Sequence, residues 1–260
     1  MGAEVQAITS RDNALLMRLR KLGADPGGYR KAGRVWIEGE HLCAAFVARG
    51  GRPLHAVITE AAWADAALRE LARAAPRVAV VSAALMAGLS TLGSAPPLGL
   101  ELSWDGPGEL DADLPSVVLD RLQDAGNVGN VLRSAAAFGF TQVIALPGTA
   151  ALWSPKVLRA GMGAHFGLRL VEAARDALDR LATPLLATSS HAGEWVHDVQ
   201  LPWPCSWVLG HEGQGVEPAL MERCQRVMRI AQPGGQESLN VAAAAAVCLY
   251  ESVRQRLGAR

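Results

Sequence analysis

From Val117 onward the chain repeats one pattern, a short apolar run followed by a helical stretch, and this repetition restricts the possible folds more than any other feature. Residues 117–120, 142–146, 168–171, 184–188, 206–210 and 227–230 read as strands. Helices are expected over 128–138, ended by Gly139, from Ser154 and Pro155, and from about Asn240 almost to the end, with further helical segments between the remaining strands. Strand and helix in alternation predict a mainly parallel sheet with helices on its faces. The ligand crevice of such a sheet lies beyond the carboxyl ends of its strands. Three polar or glycine-rich segments fall at such ends here.

The first hundred residues read differently. A helix over 13–22, strands over 35–37 and 56–59 and an alanine-rich helix over 61–75 predict a small α/β unit. The stretch 94–115, rich in Pro, Gly and acidic residues, is the expected break between folded units. The predicted organisation is a domain over 1–104, a linker over 105–114 and a second domain over 115–260. With 260 residues, half of them apolar, the chain can bury one large core or two smaller ones. No stretch of about 18 apolar residues occurs, and no apolar run follows a basic start, so a cytoplasmic enzyme without a membrane segment is expected. The cysteines Cys43, Cys205, Cys224 and Cys248 lack close CxxC spacing and are read as buried reduced thiols, not metal ligands.

Net charge is zero, but its distribution is uneven. Residues 1–52 hold nine Lys/Arg against five Asp/Glu, whereas 53–114 hold three against eight. The early basic residues, among them Arg11, Arg18, Arg20, Lys21, Arg30, Lys31 and Arg34, suit phosphate contacts and equally suit a solvated helix face.

Of the three segments, the first is LDRLQDAGNVGNVLRSAAAFG, 119–139. Val128, Val131, Leu132, Ala135 and Ala136 form one helical face, and Arg133 points roughly 140° away from Val128. Asn127, at the helix start, can cap the helix or meet a ligand. The second segment, WVLGHEGQGV at 207–216, runs a strand into three glycines around His211 and Glu212. It lacks the second histidine of HExxH, and an arginine is the natural partner expected for Glu212. The third, IAQPGGQESLNVAAAAAVCLYE at 230–251, places Ser238 and Asn240 at a turn and the first helical positions, ahead of a helix apolar on every side. No dinucleotide GxGxxG or phosphate-binding GxxxxGK[ST] occurs.

Together, and in this order, the segments resemble the SpoU, or TrmH-like, family of RNA ribose methyltransferases. The first motif is carried by Asp120, Asp124, Asn127, Gly129, Arg133, Ala135, Phe138 and Gly139. The second is carried by Gly210, Glu212, Gly213 and Gly215, and the third by Ile230, Gly234, Ser238, Leu239, Asn240, Val241, Tyr250 and Glu251. The stretch SPKVLRAGMGAHF, 154–166, and the N-terminal ITSRDNALLMRLRKL and RKAGRVWIEGEHL are also similar to family segments. Ala125, Ala231, Gln232 and Ala242 depart from the family's pattern.

The resemblance implies an α/β fold with a C-terminal trefoil-knotted methyltransferase domain of SPOUT type and a smaller N-terminal α/β substrate-binding domain. It implies S-adenosylmethionine as cofactor, no metal, RNA as partner with ribosomal RNA preferred over transfer RNA, and a homodimer. By the same resemblance Asn127, Arg133, Glu212, Ser238 and Asn240 are the expected catalytic residues, and the turns at Gly210, Ile230 and Leu239 hold the cofactor. Whether Arg133 takes a proton with help from Glu212 or an RNA phosphate, or orients the hydroxyl, stays open at this level. A catalytically silent RNA-binding or ribosome-assembly protein on the same fold is the alternative, which loss of Arg133, Asn127 or Glu212 would have favoured.

Overall fold

Two sheets organise the chain in the structure, a computed structural model that describes residues 2–90, 94–235 and 238–258. They belong to two units, Met1–Gly106 with Trp153–Phe166, and Pro107–Leu152 with Gly167–Arg260.

The first unit comprises β1 (Glu4–Ile8), α1 (Ala14–Ala24), α2 (Gly28–Ala32), β2 (Arg34–Glu38), α3 (Glu40–Ala48), β3 (His55–Thr59), α4 (Glu60–Ala64), α5 (Ala66–Ala72), β4 (Arg77–Val81), α6 (Ala83–Ala87) and β5 (Leu98–Ser103). Its strand order is β1-β4-β3-β5-β2, with β5 antiparallel to both neighbours and the other pairs parallel. Asn13 caps α1 by accepting from the Leu15 amide at 2.9 Å, and Leu16, Leu19 and Leu22 then face Trp36, Val57 and Ala79. The alanine-rich helix expected over 61–75 is instead two helices. Asp65 breaks it, because its carboxylate accepts from the amides of Ala67 and Leu68 and so caps a new helix. Strand β5 lies inside the stretch read as interdomain punctuation, with Leu98, Leu100 and Leu102 all buried.

Between those leucines Glu101 is fully buried. It binds Arg18 through both oxygens, at 2.7 and 3.0 Å, and contacts His55 Nδ1 at 2.7 Å. Burial pushes its acidity towards the neutral form, yet the bonds and charges of Arg18 and His55 outweigh that and hold its pKa below the usual carboxylate range. A buried carboxylate tolerated in this way needs its partners.

The second unit is built around β6 (Ser116–Leu119), α7 (Ala125–Ala137) and β7 (Gln142–Ala145). After α8 (Pro155–Gly161) follow β8 (Arg169–Glu172), β9 (Leu185–Thr188), β10 (Glu194–Trp195), β11 (Ser206–Leu209), α9 (Pro218–Met221), β12 (Arg226–Arg229) and α10 (Val241–Gly258). All strands are parallel, in the order β10-β12-β9-β11-β6-β7-β8. Strands β6, β7 and β11 are buried throughout, which accounts for their continuous apolar runs. After β12 the chain returns past β9 to pack α10 on α7 and β11, where Trp207 Nε1 donates to Ser252 Oγ at 2.9 Å.

Several expectations for this region are corrected. Helix α7 begins at Ala125, three residues early, because Asp124 caps it by accepting from the Asn127 amide at 2.7 Å. Ala136 is exposed, and Gly129 joins the buried face instead. A 3-10 turn, Arg175–Arg180, joins β8 to β9, irregular chain and the short β10 lie between β9 and β11, and α9 is a single turn. Residues Trp153–Phe166 cluster with the first unit, where α8 packs against β2 and Phe166 meets Phe46 at 5.1 Å, although the sequence reading ran 115–260 as one domain. Cys224 is only half-buried; the other three cysteines are buried and all four are free thiols. Helix α10, apolar on every side and so expected to be buried or packed in a subunit interface, exposes Val247 and Tyr250 in the single chain, which leaves the second of these readings open. Among the described residues no helix is long and apolar enough to cross a membrane.

Glu101→Gln should lower stability by about 2 kcal/mol at neutral pH, since it removes the charge that Arg18 and His55 both bond. A carboxylate with a depressed folded pKa contributes stability above its unfolded value of about 4.3 and loses it as pH falls through the folded value. The parent's melting temperature should therefore fall below about pH 4 more steeply than the variant's, as thermal denaturation across that range will show.

Candidate active site

Beyond the carboxyl ends of β6, β9, β11 and β12, the loops that follow these strands come together. The loop after β11 is a tight turn: His211 and Gly215 exchange backbone hydrogen bonds of 3.0 and 2.8 Å, and His211 Nδ1 accepts from the amides of Gly213 and Gln214 at 3.0 and 3.3 Å. Gly210 is required at its base, because a Cβ there would lie 2.0 Å from the Gly215 backbone.

Glu212 projects from this turn to the start of α7. Its carboxylate accepts from the amide of Asp124 at 3.1 Å, the amide of Gln123 at 3.3 Å and Asn127 Nδ2 at 3.2 Å. The arginine expected as its partner is not there. Unsatisfied amides before the first turn of α7, together with that helix's positive end, do the work of a cation. Partial burial pushes the Glu212 pKa up, but its own backbone amide, those of Asp124 and Gln123, and the Asn127 side chain hold it below the usual range.

Asn127 in turn accepts from Asn240 Nδ2 at 2.9 Å. Asn240 caps α10, its Oδ1 accepting from the amides of Ala242 and Ala243 at 2.9 and 3.3 Å. Asn127 is therefore not the cap of its own helix, which Asp124 supplies; it is the middle of a chain Asn240–Asn127–Glu212 that joins all three sequence segments.

Against this chain lies an open cavity of about 480 Å³. Gly210, Ile230, Ser238 and Leu239 all line it, and Glu212 reaches it as well. Met221 and Met228 make part of its wall apolar. Sequence reasoning missed Ser189, Ser190 and His191, which line it after β9. The signal was available, since this is one more polar segment following an apolar run. Outside the cavity lining, the buried Asp120 and its neighbour Arg121 bond each other at 3.1 Å. Arg133 stands apart. It is exposed on α7 and, among the described residues, makes no hydrogen bond or ion pair with the others. No group of three His, Cys, Asp or Glu that could hold a metal occurs among the described residues.

Comparison with known proteins places this geometry. Residues 115–250 match the model of the SpoU rRNA Methylase family. An uncharacterized tRNA/rRNA methyltransferase of Synechocystis sp. is 32% identical over 271 residues, covering 100% of this chain and 97% of its own. The 23S rRNA (guanosine-2'-O-)-methyltransferase RlmB of Bordetella pertussis is 38% identical over 148 residues, 55% of this chain and 60% of that relative. Among solved structures, the SpoU methyltransferase AviRb from Streptomyces viridochromogenes, in complex with AdoMet, has a TM-score of 0.84 at 25% identity and covers 95% of this chain and 100% of its own. The α/β fold with a knotted methyltransferase domain and a smaller N-terminal domain, expected from the motifs, is thus the fold observed. With the family model matched from the first strand of the parallel sheet to the last helix, and a relative aligned along the whole chain, the protein belongs to the SpoU rRNA methylase family.

Proposed function

We propose that this protein methylates a ribose 2′-hydroxyl in RNA with S-adenosylmethionine, and that its substrate is ribosomal RNA. The observation that carries the reading is the chain Asn240–Asn127–Glu212, which ties three loops around one open cavity at the sheet's carboxyl edge. Relatives named as 23S rRNA methyltransferases support the choice of RNA class.

The cavity fits the cofactor. Its 480 Å³ lies within the roughly 300–1,000 Å³ usual for small-molecule sites. Met221, Met228, Ile230 and Leu239 offer an apolar slot for a purine, and the backbone of the turn at Gly210 can approach a ligand closely. When bound, S-adenosylmethionine supplies an electrophilic methyl group. Gly210, Ile230 and Leu239 hold it through backbone groups, while Ser238 faces the same space.

Arg133 orients the attacking hydroxyl and stabilises the oxyanion that forms, acting as a donor because a guanidinium stays protonated at any working pH. Glu212 is a poor proton acceptor: three donors occupy its oxygens and its pKa is depressed. Its role is to hold Asn127 and the loop in register, which leaves the proton to an RNA phosphate or water. Exposed Arg11, Lys21 and Lys31 in the first unit supply phosphate contacts, whereas Arg18 is occupied by Glu101. A second copy of the chain covers the exposed Val247 and Tyr250 of α10, and the enzyme works in the cytoplasm.

Calorimetry with chelator present should show S-adenosylmethionine binding to the full chain; absence of binding by folded protein would remove the enzyme reading. Mapping of ribose methylations in total RNA from cells with and without the gene should lose a site in ribosomal RNA, and a loss confined to transfer RNA would overturn the substrate class. Arg133→Ala should leave folding and cofactor affinity near parental, and slow single-turnover transfer by roughly two to three orders of magnitude. Parental turnover in that variant would refute the assignment of Arg133.

A further inference from the structure

We infer that Arg121, which the family motif leaves unspecified, is a positioning residue that holds the loop 210–216 in its ligand-receiving shape; this rests on the reading of the cavity as the cofactor site. Arg121 directly follows β6 and has a left-handed backbone, φ 59°, one of two non-glycine residues with positive φ among those described. Such a conformation is unfavourable for a side chain and free for glycine. An arginine held there is over-determined by its surroundings, and those surroundings converge on the loop.

Its guanidinium bonds three partners. Nη1 donates to Gln214 Oε1 at 2.9 Å and Nη2 to the Gly215 carbonyl at 3.3 Å, both within the loop and both lining the cavity. Nε and Nη2 are anchored on the Asp120 carboxylate at 3.3 and 3.1 Å. Asp120 is fully buried and also accepts from the Glu217 amide at 2.8 Å, so the group that fixes the guanidinium also fixes the chain leaving the loop. The arginine stem passes beside Gly148, where a Cβ would lie 3.1 Å from Arg121 Cγ. Three loops, after β6, β7 and β11, therefore meet on one side chain. Glu212 ties the middle of the loop to α7, and Arg121 ties its end to β6. Arg121 is not among the residues that line the cavity, so it acts through Gln214 and Gly215.

Arg121→Gly relieves the backbone but removes the side chain and leaves buried Asp120 with only Arg175 at 3.9 Å and the Glu217 amide, so stability is measured beside affinity and Arg121→Lys, which keeps a cation next to Asp120, serves as the control. In the full-length chain this variant should melt below the parent but stay folded at about 25 °C, where its calorimetric Kd for S-adenosylmethionine rises about tenfold, the loss of a charge-assisted hydrogen bond. Turnover at saturating cofactor should stay within about twofold, since the cofactor can still drive the loop into shape. Arg121→Lys should recover part of the affinity, because an ammonium cannot bridge both acceptors as the planar fork does. Gln214→Ala should weaken binding less in the Arg121→Gly background than in the parent, as coupled partners do. An unchanged Kd in folded Arg121→Gly, an Arg121→Lys variant that binds no better than Arg121→Gly, or strict additivity with Gln214→Ala would each overturn the assignment. A parent chain that binds no S-adenosylmethionine would instead bring down the reading of the cavity, and this inference with it.

Discussion

The site depends on one carboxylate held by main-chain amides. Glu212 sits in a turn that has no regular structure of its own, and what fixes it is the start of α7, where amides 123 and 124 have no helical carbonyl to meet. Charge and donors match without a cation. The electrostatic gain is modest at a solvent-facing position, but it is directional, and through Asn127 it reaches the cap of α10. Removing any member of the chain leaves two loops without a common reference.

Carboxylates elsewhere in the protein meet the same constraint by other means. Glu101 and Asp120 are both fully buried, and both are held by arginine: Glu101 by Arg18 with His55, Asp120 by Arg121 with Arg175 at 3.9 Å. Buried charge is tolerated only with partners, and the partner sets what the carboxylate does. Glu101 joins a helix to the centre of the five-stranded sheet. Asp120 lies at the end of β6, where its partner Arg121 can reach the loop over the cavity.

Division of labour within the parallel sheet follows from strand order. All strands point the same way, but the order in which they are added reverses at β6 and β11, with β7 and β8 on one side and β9 and β12 on the other, and crevices form where neighbouring loops diverge. The polar segments after β9, β11 and β12 open on that crevice because β9 lies between β11 and β12 in the sheet, though the segments are separate along the chain. Helix α10 then covers α7 and β11 with small residues, Ala242 and Ala245, that let it approach closely.

Much of this was legible in the residues themselves. Apolar runs located β6, β7, β9, β11 and β12 to within a residue or two; β6, β7 and β11 are buried throughout and so almost wholly apolar, whereas β12 keeps only an apolar centre between Arg226 and Arg229. The glycines around Glu212 and the SLN at 238–240 marked the cavity, and the motif match brought family and chemistry. Local polarity concealed the rest. β5 was hidden among Pro and Gly, β1 by its exposed face, and the break at Asp65 by the alanines around it. Pairings between distant segments were beyond any periodicity: sequence suggested an arginine for Glu212, yet backbone amides 88 and 89 residues away serve it, and Arg121 went instead to Asp120 and Gln214. The sequence by itself determined most strands of the parallel sheet, the helices that flank them and the segments that carry chemistry, since burial on a regular element leaves a periodic trace. Only the tertiary structure decided which partners those residues take, because main-chain donors have no side-chain signature and become available only where the fold leaves them unpaired.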